Sequence, residues 1–156
     1  MRRTIFVLVG MLVGLAGTPH QASADDEWPS FRGPGARCVS LETGLPTRWS
    51  TTENVDWVAE VPGLGWSSPI VWGDTVLVTT VVSSAAAEEP LGGLYRGRET
   101  WEPSSAEHRW LVYAFNVETG ALQWEREVHR GMPQRGHHLK NTLASETPVT
   151  DGEAVY

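Results

Sequence analysis

His129, His137 and His138 lie in one stretch of the 156-residue chain, and imidazole nitrogens are good ligands for Zn²⁺ or Cu²⁺. Adjacent histidines point apart in an extended chain, however, and no His-x-x-x-His spacing puts two rings on one side. With Arg130, Arg135 and Lys140 nearby, the stretch reads as a polar surface loop, and no metal site is assigned. Ser67-Ser68 carries hydroxyl nucleophiles without a positioned histidine, and neither a Gly-x-Ser-x-Gly elbow nor a glycine-rich phosphate cradle occurs. Glu118 and Glu146 are carboxylates expected in a turn and at a strand edge, facing solvent. Trp66 and Trp72 have the shape to stack on a flat cofactor, but core packing is the simpler use of both. Cys38 has no second cysteine to pair with. It reads as a small buried apolar residue, or as a thiol pairing with another chain in an oxidising compartment. No catalytic residue is assigned.

The elements that carry these residues begin with a leader. Met1-Arg2-Arg3 is basic, residues 5–16 are apolar apart from glycines, and Ala22-Ser23-Ala24 offers small residues before Asp25. This is the layout of a secretory signal peptide over residues 1–24, and its apolar run is too short for the roughly 20 residues that span a bilayer. The paired arginines fit a twin-arginine signal and an ordinary basic leader alike. Thr18 stands where a lipid-bearing cysteine would be required, so no lipid anchor is expected. The chain carries a formal charge of −7, and removing Arg2 and Arg3 makes it more acidic. No stripe of Lys and Arg forms, which argues against nucleic acid or anionic lipid as partner.

Residues 25–54 are rich in Pro and Gly and read as an irregular arm. Alternation of Val55, Trp57, Ala59 and Val61 with Asp56 and Glu60 predicts a strand over 55–61. Residues 68–72 and 75–82 predict two strands joined by the tight turn Gly73-Asp74. Residues 83–108 lack any period and read as an exposed inserted loop. Residues 109–116 are apolar in both alternating sets, the pattern of a strand buried on both faces. Asn116-Val117-Glu118-Thr119-Gly120 forms the next turn, and 121–128 the returning strand, with Leu122, Trp124 and Val128 expected on one face. A second polar loop over 130–141 leads to Thr147-Pro148-Val149, the turn Asp151-Gly152 and a last strand start.

Ser68-Pro69-Ile70-Val71 with Gly73-Asp74 corresponds to Thr147-Pro148-Val149-Thr150 with Asp151-Gly152, and Asp56-Trp57 corresponds to Gln123-Trp124. Repeats of about 40–50 residues with four strands each point to an all-β propeller. Residues 114–124, from Ala114 through Asn116, Thr119 and Gly120 to Trp124, resemble the signature of the PQQ-like (pyrroloquinoline-quinone-type) propeller repeat. The arm, from Trp28-Pro29-Ser30-Phe31-Arg32-Gly33-Pro34 to Trp49, is similar to that of exported bacterial propellers of this group, which includes the scaffold that helps assemble outer-membrane β-barrels. The resemblance implies four-stranded blades, about seven or eight in a full-length protein. Residues 55–156 then supply about two incomplete blades, the chain being an N-terminal fragment. It also implies that Trp57 and Trp124 dock neighbouring blades, with Gly73, Asp74, Asn116, Thr119, Gly120, Asp151 and Gly152 in the repeat turns.

Two functional classes follow from the resemblance. One is a non-catalytic binding or scaffold module, with another protein or a cell-envelope component as partner and no cofactor in this stretch. The other is a quinoprotein dehydrogenase oxidising alcohols or sugars with PQQ and Ca²⁺. Dehydrogenases of the alcohol-oxidising type carry adjacent cysteines and a Glu, Asn and Asp set from separate blades, and no motif here takes those roles. The first class is the leading expectation, for an exported protein in the periplasm or secreted.

Overall fold

Thr75-Val76-Leu77-Val78-Thr79-Thr80-Val81-Val82 is almost wholly β-branched, and such side chains favour a pleated surface over a helix. The computed structural model, which describes residues 27–86, 92–93 and 100–156, makes this run a central strand. Strands β1 (Ile70–Trp72), β2 (Thr75–Ser83), β3 (His108–Asn116) and β4 (Leu122–Gly131) form one antiparallel sheet in the order β1-β2-β3-β4. Each strand therefore lies beside its sequence neighbour. The only helical element among the described residues is a 3₁₀ turn at Pro34–Ala36, so the fold is all-β. The signal-peptide reading, residues 87–91 and residues 94–99 fall outside the described residues.

The register follows from the turns. Gly73-Asp74 closes β1 on β2 with Trp72 opposite Thr75, and the β2–β3 ladder runs without a break from Thr75 opposite Asn116 to Ser83 opposite His108. Both faces are covered, as the two apolar sets of 109–116 require. Ile70, Leu77, Val112 and Ala114 form one buried cluster. Leu111, Tyr113 and Phe115 form the other, packed by Ala59, Val76, Val78 and Val82. Fully buried side chains of this size contribute about 1.5–3 kcal/mol each, so β3 anchors the sheet.

Residues 55–61 depart from expectation. They make no ladder with any described strand, and Val55, Val58 and Val61 are exposed. The segment instead delivers Ala59 onto the Tyr113 face, and alternation alone could not supply the partner strand that makes a ladder. The last segment also falls short of a strand: Val149 and Tyr156 exchange backbone hydrogen bonds at 3.0 and 2.8 Å around an isolated Thr150–Val155 bridge.

On β4 the expected faces are corrected by two bulges. Trp124 lies opposite Ala114 and Leu122 opposite Phe115, leaving Gln123 as an extra residue. Ala114 and Phe115 point to opposite sides, so Leu122 and Trp124 do too. A second shift leaves Val128 between Glu127, opposite Leu111, and His129, opposite Trp110.

The two long loops are not separate surfaces. Thr100 bridges His138, and the Trp101 N–H donates to the His137 carbonyl at 2.8 Å, so the insertion after β2 is tied to the loop after β4. At the other side of the sheet the arm covers the β1 edge. Trp28 and Val71 exchange backbone hydrogen bonds at 2.9 Å, and Thr150 N–H donates to the Pro29 carbonyl at 3.0 Å. The β4 edge is left to its bulges and to Glu125, Arg126, Glu127 and Arg130, features that discourage pairing with another strand.

Candidate functional site

The turns after β1 and β3 meet at one end of the sheet. Asn116 organises the second: its Oδ1 accepts from the N–H groups of Glu118 (3.2 Å) and Thr119 (3.0 Å) and from the Thr119 hydroxyl (2.9 Å). Gly120 closes it at φ +68°, donating to the Asn116 carbonyl at 2.9 Å. Val117 N–H donates to the Asp74 carbonyl at 2.8 Å, and Thr75 donates its hydroxyl to Gln123 at 2.9 Å, joining this turn to Gly73-Asp74.

Trp57 sits on this platform. Its indole N–H donates to the Val117 carbonyl at 2.8 Å, and its ring lies so close to Gly120 that a Cβ there would be 2.5 Å from a ring carbon. The same relation recurs between Trp72 and Gly152, and between Trp28 and Gly33. Asp151 shapes the Gly152 turn by accepting from the N–H groups of Glu153 (3.0 Å) and Ala154 (2.9 Å). These bonds, together with the Tyr156 hydroxyl on its other oxygen, hold its carboxyl below the ordinary carboxylate range. Trp124, which corresponds in sequence to Trp57, is 41% exposed and shares with Trp72 a cleft of about 220 Å³ lined also by Thr75, Leu77, Gly152 and Val155.

The remaining candidates are scattered. Trp66 is 57% exposed, so its expected place in the core is corrected; its backbone N–H donates to the Ala144 carbonyl as the chain enters β1. Cys38 is exposed in the irregular arm at φ +55°, which corrects its reading as a buried apolar residue. Ser67 Oγ accepts from the Thr79 N–H at 3.2 Å, and Ser68 N–H donates to Thr147 at 2.9 Å, both tying chain segments together. Glu118 and Glu146 are exposed.

The histidines separate. The His129 ring packs tilted against Trp110, centroids 4.9 Å apart, His137 faces the inserted loop, and His138 Nδ1 accepts from the Lys140 N–H at 3.1 Å. Among the described residues no three His, Cys, Asp or Glu side chains converge into a metal-binding group. No described helix is long and apolar enough to cross a membrane.

Charge concentrates on the far half of β4. Glu127 bonds Arg109 Nε at 2.7 Å and Arg130 Nε at 2.8 Å, while Arg130 also reaches Glu107 at 3.1 Å. Hydrogen bonds from Arg130 and then Arg109 hold the Glu127 carboxyl at about 2, against an ordinary 4.5. Burial, and next the charge of Glu125 across the ladder, push the Tyr113 hydroxyl up.

The contacts Trp72–Gly152 and Trp28–Gly33, the Trp110–His129 ring contact and the tie between the two loops had no signal in the sequence. Apart from the local Trp28–Gly33 contact in the arm, each depends on where the sheet carries residues far apart in the chain. Comparison of the chain with family models, with curated proteins and with solved structures finds no match.

Proposed function

We propose that this chain belongs to an exported β-propeller of the PQQ-like repeat type and works as a binding or scaffold module on another protein or cell-envelope component. In this reading β1–β4 is one blade, residues 55–61 end the preceding blade, and the segment from Thr147 to Tyr156 opens the next. Trp57 is then a blade-docking residue, and Trp124 awaits the equivalent turn of a neighbouring blade. The observation that carries the reading is the Trp57 indole on the Asn116–Gly120 turn, bonded to Val117 across 60 residues. That contact joins a segment lying before the sheet to the hairpin that ends it, as stacked repeat units require. The consecutive β1-β2-β3-β4 meander supports the same assignment.

The test is titration of the full-length exported protein with PQQ in the presence of Ca²⁺, followed by tryptophan fluorescence. A binding or scaffold module leaves the fluorescence unchanged. Stoichiometric quenching, with PQQ-dependent dye reduction on alcohols or sugars, would overturn the reading in favour of a quinoprotein oxidoreductase.

A further inference from the structure

From His129 to Asn141 the chain holds no Asp or Glu, yet it carries Arg130, Arg135, Lys140 and three histidines in a protein of formal charge −7. Arg130 is engaged by Glu127 and Glu107. Among the described residues Arg135 makes no ion pair. Arg135 instead borders an open cleft of about 510 Å³, whose other walls include Trp110, His129, Met132, Pro133 and Leu143. The floor is an aromatic pair, with ring centroids 4.9 Å apart at 45°. Trp110 is fixed there by its indole N–H, which donates to the Leu143 carbonyl at 2.8 Å. Met132 stands at the edge, 65% exposed.

We infer that this cleft binds an acidic peptide segment, placing an aromatic or aliphatic side chain on the Trp110–His129 floor and a neighbouring carboxylate against Arg135. Trp and Arg are the side chains that most often anchor protein interfaces, an exposed thioether adapts to varied apolar shapes, and guanidinium recognises carboxylate through paired hydrogen bonds. The charge pattern selects the partner class. A long polyanion laid over this loop would run onto an acidic remainder that repels it, Glu107 and Glu127 beside Arg130 included. A short acidic segment can instead seat in the cleft against Arg135, which makes no ion pair among the described residues. The inference rests on the binding-module reading and names the chemistry of the partner.

The test is fluorescence polarisation of a fluorescein-labelled peptide, one tryptophan flanked by glutamates, against the intact protein. Binding is expected to fall as salt rises from about 50 to about 300 mM. Arg135→Glu is expected to weaken it at least about tenfold, and His129→Ala or Met132→Glu severalfold. All three positions are exposed, so circular dichroism should match the parent. Absence of peptide binding, or binding unchanged in Arg135→Glu, overturns the inference. So does equal affinity for a single-stranded oligonucleotide or for vesicles of anionic lipid, which would make the patch a general polyanion site. The PQQ titration reads a different property, so failure there and failure here remain distinguishable.

Discussion

The Trp57 indole donates to the Val117 carbonyl at 2.8 Å across 60 residues, and the same ring packs directly on Gly120. One side chain thus locks an otherwise unladdered segment to the turn between β3 and β4. The turn in turn depends on a residue without a Cβ, both for its φ of +68° and for the space the ring occupies.

Gly120→Ala is therefore expected to destabilise the protein by about 2–4 kcal/mol, the left-handed backbone and the collision with the ring both contributing. Gly73→Ala is the matched control. Its φ is +57°, but nothing lies within 4 Å of the added methyl, so only the backbone cost of about 1–2 kcal/mol applies. Urea unfolding of the two variants checks the difference; equal losses would show that the Trp57 contact contributes nothing.

Trp72→Ala removes the ring from Gly152 and one wall of the cleft shared with Trp124. The segment from Val149 to Tyr156 is held mainly by its own bonds and by Pro29, so it should open locally while β2 and β3 stay closed. Amide hydrogen exchange is expected to rise at Thr150 and Tyr156 and to stay unchanged at Val112 and Ala114. Uniformly faster exchange across the sheet would contradict this.

Glu127 supplies the pH dependence. Its folded carboxyl titrates near 2, below the ordinary 4.5, so its contribution to stability is complete above about 4.5. It declines as pH falls from there toward 2, because the unfolded chain takes up the proton first. Glu127→Gln should flatten this part of the stability profile. Carboxyl NMR of the parent should show Glu127 still ionised at pH 3.5, and a midpoint near 4.5 would overturn the assignment.

The local grammar of the chain is legible in its sequence. β-Branched runs, two apolar sets in 109–116, and the turn residues Gly73-Asp74 and Asn116 through Gly120 placed all four strands to within a few residues. These signals are legible because side-chain alternation and turn chemistry act over a few neighbouring residues. Of the candidate site, the types and positions of Trp57, Asn116, Thr119 and Gly120 were readable, as was the correspondence in sequence of Asp56-Trp57 with Gln123-Trp124.

What only the tertiary structure decided is which distant groups meet. Residues 55–61 alternate like a strand, yet a ladder needs a partner, and the segment packs across a face instead. Gln123 and Val128 read as ordinary strand positions, but as bulges they send Leu122 and Trp124 to opposite sides. Trp72 finds Gly152, and Trp110 meets His129 above a cleft, because the sheet sets their spacing. Composition and period describe one strand at a time; the contacts arise from the register between strands, which no single segment encodes.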